Sequence, residues 1–442
     1  MALLVYRFWF IVDPKSGAHY FAWQLSRMKI LVSAIACNPF HGSESYFGWA
    51  AVQCLGRQHQ LHVITTGRNQ ADLERARVEG MVPENVQFYY AGTFQTWHPN
   101  RLLARVQSWR EYIVFARDSL RVAREIASRE SLDVAHHVTY STWRVASPLW
   151  QLGIPFVYGP IAGNEPFPFR LFPVLSFTGA GFELARKCSN VFSRRLPAVR
   201  QSLRRAAHVF AITEESERMA AAVRGSGDSI SRLSPGFYSP DRVESFARHA
   251  VEKNPAGKLK IYVAGSLGGQ KCIAVAFHGL ALARKRGLDF EYLLGSSGPE
   301  IPHLKKLALK LGLEGNIVFG GTMTRQAYQE TLGRTHVYLL PSMRETVGLT
   351  MMEAMLAGCV PVVADNGGPR VTVTDECGFR IPTGSVKTMA RAIADIMMEL
   401  DRDRNRMIRM GQAASKRIAS VYTENHYLEE VNAVYRRICK GV

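Results

Sequence analysis

The chain has 442 residues, 47% of them hydrophobic, 21% charged and 10% aromatic, with 36 glycines and 20 prolines; this balance excludes disordered and fibrous architectures and leaves room for two or three domains with sizeable cores. Lys and Arg total 55 against 37 Asp and Glu, a net charge of +18 that suits an anionic partner such as phosphate, anionic lipid or nucleic acid. The seven cysteines are odd in number, widely spread and never in a Cys-x-x-Cys pair, which argues for a reduced cytoplasmic chain with no zinc ribbon.

Residues 2–12 are apolar but broken by Arg7 and followed by Asp13, Pro14 and Lys15 with no small-residue cleavage site, so neither a signal peptide nor an anchor is expected. No stretch approaches the ~18 apolar residues of a spanning helix. Residues 1–27 read as an N-terminal extension or a start placed too early, because a fresh pattern opens at Met28. Lys29–Ala34 is a continuous apolar run, as expected of a strand buried on both faces of a parallel sheet. A turn at Cys37 to Glu44, a helical stretch over 45–56 and a strand over 61–65 follow, which is the opening of a doubly wound sheet. Short apolar runs over 133–139, 155–158 and 209–212 continue the alternation, each leading into a Gly-, Pro- or Thr-rich turn.

Periodicity breaks over 235–257, which places a linker at 241–258 between a first domain at 28–240 and a second at 259–415. The run 260–265 echoes the first strand and its leading lysine, and further strands are expected near 290–294, 316–319, 336–340 and 360–364. From Val386 to Ile438 the spacing is helical and charged, and the last segment, 416–442, is expected to pack back toward the first domain.

The stretch Pro341-Ser342-Met343-Arg344-Glu345-Thr346-Val347-Gly348-Leu349-Thr350 leaves a strand directly, which puts Glu345 on a loop at the strand's carboxyl edge. Gly348, Leu349 and Thr350 open a helix whose free N–H groups can hold a diphosphate. Glu353 follows about 6 Å further along the helix axis at 1.5 Å per residue. Taken singly, Glu345 reads as a helix cap and Glu353 as a surface salt bridge. Together with Glu353-Ala354-Met355, Ala357-Gly358 and Pro361-Val362-Val363-Ala364-Asp365-Asn366-Gly367-Gly368, they resemble the signature of glycosyltransferase family 4, the retaining group-1 transferases of the GT-B fold.

The resemblance runs over residues 28–435, most closely in the second half. Gly265-Ser266-Leu267-Gly268-Gly269-Gln270-Lys271 is similar to the family's Gly-Arg-Leu-x-x-x-Lys segment, whose basic pair grips the donor diphosphate. Lys271 matches; Ser266 stands where the family usually has Arg, and Arg344 is one candidate to replace that charge. Gly295-Ser296-Ser297-Gly298-Pro299-Glu300 and Asn316 to Gly321 resemble landmarks of the family's second domain. Gly42-Ser43-Glu44 resembles its glycine loop, and Asp133-Val134-Ala135-His136 its Asp-Val-x-His strand end. Many relatives carry a catalytic histidine at the position occupied here by Val138. His136 and His137 alternate across a strand, so at most one faces the crevice, and a structural role stands beside a catalytic one.

The resemblance implies an α/β protein of the GT-B type, two Rossmann-like doubly wound domains facing across a cleft. It further implies a retaining transferase that moves a sugar from a nucleotide diphosphate sugar to a glycan or lipid-linked acceptor, with no cofactor and no metal. Glu345, Lys271 and one of His136 and His137 would be catalytic; Gly42, Gly265, Ser266, Arg344, Gly348, Leu349, Thr350 and Glu353 would bind the donor. An epimerase or phosphorylase on the same architecture is the enzymatic alternative, and a non-catalytic anion- or nucleic-acid-binding protein the other, although no nucleic-acid motif is present. Asp401-Arg402-Asp403 falls in an expected charged helix over 400–410 and reads as a solvated face, and no P-loop surrounds Lys271.

The segment 164–208 carries eight basic residues, among them Arg170, Arg186, Lys187, Arg194 and Arg195, against Glu165 and Glu183, with six phenylalanines interleaved. Two readings stand: a basic face docking on the anionic inner side of a membrane, or a solvated basic helix with its aromatics in the core.

Overall fold

A computed structural model describes residues 10–12, 19–21, 27–42, 44–92, 101–250 and 253–439. Most of the segment read as an N-terminal extension, and Ser43 of the glycine loop, lie outside them; within that segment Phe10–Val12 pairs antiparallel with His19–Phe21.

The fold is two parallel, doubly wound sheets. The first runs Val86–Ala91, Gln60–Thr66, Lys29–Ala34, Val134–Thr139, Phe156–Ile161, His208–Ala211, Ile230–Arg232 in spatial order. The second runs Ile317–Phe319, Phe290–Gly295, Leu259–Ala264, Val337–Leu340, Val360–Ala364, Phe379–Ile381. In each, the strand that opens the domain lies inside the sheet, and the chain reverses its direction of travel beside it, which opens a crevice at the strands' carboxyl ends. The central strands are buried along nearly their whole length because helices cover both faces.

The region read as a linker contains the helix Pro240–Ala247, whose Phe246 enters the second domain's core. The expected helix over 400–410 is broken instead. Val386–Arg402 ends at Asp403, whose carboxylate accepts from the Arg406 amide and so starts Arg404–Val421. That helix packs in the second core through Met407, Met410 and Ile418, and the next, Glu424–Cys439, packs in the first through Tyr427, Leu428, Val431 and Tyr435. The crossing is fixed where the Tyr238 amide donates to the Tyr422 carbonyl at 2.9 Å. Among the described residues no helix is long and apolar enough to cross a membrane.

Candidate active site

The loop after Val337–Leu340 is held from both sides. The Met343 amide (2.9 Å) and the Ser342 hydroxyl (3.0 Å) both donate to the Gln270 carbonyl, tying Pro341-Ser342 to the turn Gly269–Lys271. From the other side, Asn366 Nδ2 donates to the Met343 carbonyl at 2.6 Å and the Gly368 amide to the Glu345 carbonyl at 3.0 Å. A Cβ on Gly368 would lie 1.9 Å from the Thr346 carbonyl oxygen, so only glycine lets the two loops close. The Pro-Ser and Gly-Gly motifs thus act as a clasp around Glu345.

The clasp brings the Glu345 carboxylate into an ion pair with the Lys271 ammonium, the two side chains 16% and 11% exposed. Gly265, at φ +94°, bends the chain so that the ammonium passes beneath it; a Cβ there would stand 3.7 Å from Nζ. Gly348, at φ +79°, starts the helix Leu349–Leu356, and its carbonyl already accepts from the Met352 amide at 2.9 Å. The amides of Leu349, Thr350 and Met351 precede the first intrahelical donor, so the helix start keeps its partial positive charge. Tyr338 Oη lies 2.6 Å from Thr350 Oγ1 and accepts from the Ala264 amide at 3.4 Å, joining the helix start to the end of the opening strand. A lysine, a carboxylate and a helix N-terminus from one domain therefore meet at one crevice.

The remaining expected residues are distributed as follows. Glu353 is held inside the second domain: Oε1 accepts from Arg242 at 2.5 Å and Oε2 from Tyr328 at 2.8 Å. Arg344 reaches across the crevice to Glu183 at 2.6 Å, a partner on the helix Phe177–Ser193 of the first domain. Ser266 is exposed. Gly42 has open space where a Cβ would stand, so sterics do not require glycine there; Glu44, beginning the helix Glu44–Gly56, instead binds the Tyr140 and Ser141 amides at 2.9 and 2.6 Å.

The structure does not bring His136 to the Lys271–Glu345 pair. His136 is fully buried, with Nε2 2.8 Å from the Gly159 carbonyl and Nδ1 2.5 Å from Tyr435 Oη. A carbonyl only accepts, so Nε2 carries the proton and Nδ1 accepts from the tyrosine. No ring nitrogen is left for a substrate. His137 is 2% exposed and packs edge-on against Tyr158, its Nδ1 without a partner among the described residues.

Burial pushes the His136 pKa down to about 3 and that of His137 to about 4. Both folded values lie below the unfolded one of about 6.5, so the unfolded chain takes up protons first as pH falls. The stability these rings contribute is complete above pH 6.5 and is lost toward pH 4 and then 3, by up to about 1.4 kcal/mol per pH unit for each ring. The urea midpoint should therefore be level above pH 7 and fall below pH 6; a midpoint unchanged between pH 7.5 and 5 would contradict neutral burial.

Sequence reasoning passed over Arg242, Tyr328 and Glu183, whose partners lie 111, 25 and 161 residues away. It also passed over Arg144 and the buried role of Arg186. Arg144 Nη1 donates to the Gly163 carbonyl (2.8 Å) and Asn190 (2.9 Å), and Arg186 to the same carbonyl (2.6 Å). Among the described residues no group of three or more His, Cys, Asp or Glu is placed to hold a metal ion.

Two facing Rossmann-like domains with a basic, helix-capped crevice define the GT-B fold. The solved structure of Anabaena HepE in complex with UDP superimposes with a TM-score of 0.60 over 93% of this chain and 100% of that one, at 14% identity. Residues 245–416 match the profile of the family described as "Glycosyl transferases group 1". Curated relatives include a 2-deoxystreptamine glucosyltransferase of Streptomyces kanamyceticus, 28% identical over 45% of this chain and 53% of its own length. A GDP-mannose-dependent alpha-(1-6)-phosphatidylinositol monomannoside mannosyltransferase of Mycobacterium tuberculosis is 26% identical over 49% of this chain and 60% of its own length. The chain thus spans little more than half the length of the curated relatives it matches.

Proposed function

We propose that the protein is a retaining glycosyltransferase that moves a sugar from a nucleotide diphosphate sugar to a glycan or lipid-linked acceptor, without a divalent ion. The observation that carries this reading is the Lys271–Glu345 pair beside the open helix start at Gly348. As the bond from sugar to diphosphate breaks, negative charge grows on the leaving phosphate and the sugar becomes cation-like. The Lys271 ammonium and the Leu349 and Thr350 amides are fixed in place before the reaction, so they stabilise that charge without reorganising. Glu345, displaced from Lys271 by the donor phosphate, accepts from sugar hydroxyls and orients the reacting carbon. Glu353 keeps acceptor positions beyond those used by Arg242 and Tyr328, enough for a ribose. Thermal shift with UDP, GDP and ADP, followed by product analysis with the matching sugar nucleotides, tests this. Release of a free epimerised sugar, or a requirement for inorganic phosphate, would favour the epimerase or phosphorylase instead.

Surface polysaccharide or glycolipid assembly at the cytoplasmic face of a membrane fits a second observation. Three of the six phenylalanines in 164–208 are largely exposed: Phe177 is 95%, Phe192 65% and Phe169 57% exposed. Phe177, Leu184 and Val191 are seven residues apart, one stripe of the helix Phe177–Ser193, each at least half exposed. Lys187 lies 3.8 Å above the Phe169 ring, and Arg170, Arg194 and Arg195 are exposed nearby in sequence. An apolar stripe rimmed by cations is complementary to an anionic bilayer, where each basic residue is worth roughly 1 kcal/mol. Phe177→Asp is expected to weaken binding to phosphatidylglycerol vesicles at least ~10-fold, since it places a charge on the inserting face. Equal binding by the variant, or concentration-dependent dimerisation through this face, would reject the bilayer as its partner.

A further inference from the structure

The crevice holds a second charged group that the donor chemistry does not use. Arg144, Arg186 and Arg344 face two carboxylates, Glu165 and Glu183. Glu183 is taken by Arg344. Glu165 spends Oε1 on the Gly163 amide (3.2 Å), the Thr213 hydroxyl (2.9 Å) and the Ser216 hydroxyl (3.5 Å), and its other oxygen stands 3.6 Å from Arg186. These groups lie deep: Arg186 and Arg344 are 12% exposed, Glu183 3% and Glu165 1%. Arg344 Nε is buried with no hydrogen-bond partner among the described residues. Burial, and then the neighbouring Arg344 and Arg144 charges, push the Arg186 pKa down to about 9. A guanidinium holds its proton regardless, so these three arginines outnumber the two carboxylates they face by one charge.

The place of this surplus limits what the anion belongs to. A Cβ on Gly367 would lie 3.8 Å from Glu165 Cγ and 2.4 Å from the Glu345 carbonyl oxygen, so the cluster adjoins the Glu345 loop. Lys271, Glu345 and the helix start all come from the second domain, whereas Arg144 and Arg186 come from the first. A donor seated on the second domain turns its reacting carbon toward the first.

We infer that Arg144, Arg186 and Arg344 form an oxyanion subsite that seats a phosphate ester or carboxylate of the acceptor next to the reacting carbon. This rests on the sugar-transfer reading. Holding the acceptor by its charged end fixes the distance of its hydroxyl from the donor, which is where orientation gains rate. The planar forks of Arg144 and Arg186 suit a bidentate grip on either oxyanion.

The experiment uses the full chain saturated with whichever of UDP, GDP or ADP binds it, and calorimetry with phenyl phosphate and with benzoate. At least one probe should bind; its identity tells phosphate ester from carboxylate. Arg186→Gln should weaken that binding at least ~10-fold and leave the nucleotide's affinity within about twofold. Arg186→Lys, which keeps the charge and loses the fork, should fall between, and serves if the glutamine variant does not fold. Equal loss of nucleotide affinity in Arg186→Gln would assign the cluster to the donor diphosphate and overturn the inference, as would probe binding indifferent to both substitutions, or none at all. Failure of every nucleotide to bind the unsubstituted protein would instead overturn the sugar-transfer reading and the acceptor assignment with it.

Discussion

Lys271→Ala is expected to lower turnover at least ~100-fold, a few kcal/mol of transition-state stabilisation. The magnitude follows from the setting. The ammonium is largely out of water and aimed at Glu345 across a turn clasped by Ser342 and Met343, so no surface cation can move into its place. Loss of the lysine also leaves the Glu345 carboxylate mostly buried without a counter-charge, which lowers stability. Glu345→Gln separates the two effects: it removes the ion pair but keeps the ammonium, so leaving-group stabilisation survives while sugar orientation suffers. The check is kcat and nucleotide affinity for both variants. Near-normal turnover in Lys271→Ala would remove the lysine from the chemistry.

Most strands legible in the sequence are those whose surroundings are apolar on both faces, although the edge strand Ile317–Phe319 is legible as well. Lys29–Ala34 and Val360–Ala364 read as unbroken apolar runs because helices cover both faces of the sheet. Val86–Ala91, Ile230–Arg232 and Phe379–Ile381 went unread, and each lies at a sheet edge. There burial is partial, as in Val86–Ala91 where only the two end residues are buried, so the apolar run dissolves.

The site divides along similar lines. Glu345 and Lys271 are marked by local motifs, because the clasp that unites them is built from backbone turns requiring Pro, Ser and Gly at fixed places. The partners of Glu353 and Arg344 are set by how separate helices pack, and no local pattern records that. The basic segment 164–208 shows why a charge run is ambiguous. Neighbours on a helix point about 100° apart. Arg186 therefore turns into the crevice beside Glu165 while Lys187 turns out onto Phe169, although the sequence presents them as one pair.

Tyr435→Ala should lower stability by about 3–5 kcal/mol, the cost of emptying a buried aromatic site. Tyr435 is fully buried in the first-domain core, edge-on to both His136 (5.7 Å) and His59 (6.1 Å). Its hydroxyl is also the only partner of His136 Nδ1 among the described residues. Tyr435→Phe keeps the ring and removes that donor, leaving a buried acceptor unsatisfied at about 1–3 kcal/mol. The difference between the two variants measures packing apart from the hydrogen bond. Because Glu424–Cys439 packs in the first core and the preceding helix in the second, the substitution should lower the first domain's unfolding transition and leave the second's in place. Calorimetry resolves the two transitions, and a single undisplaced endotherm would mean that the last helix is not what fastens the domains. If His136 were catalytic rather than structural, Tyr435→Phe would change the pH profile of turnover; here it should change the melting temperature and leave that profile as it is.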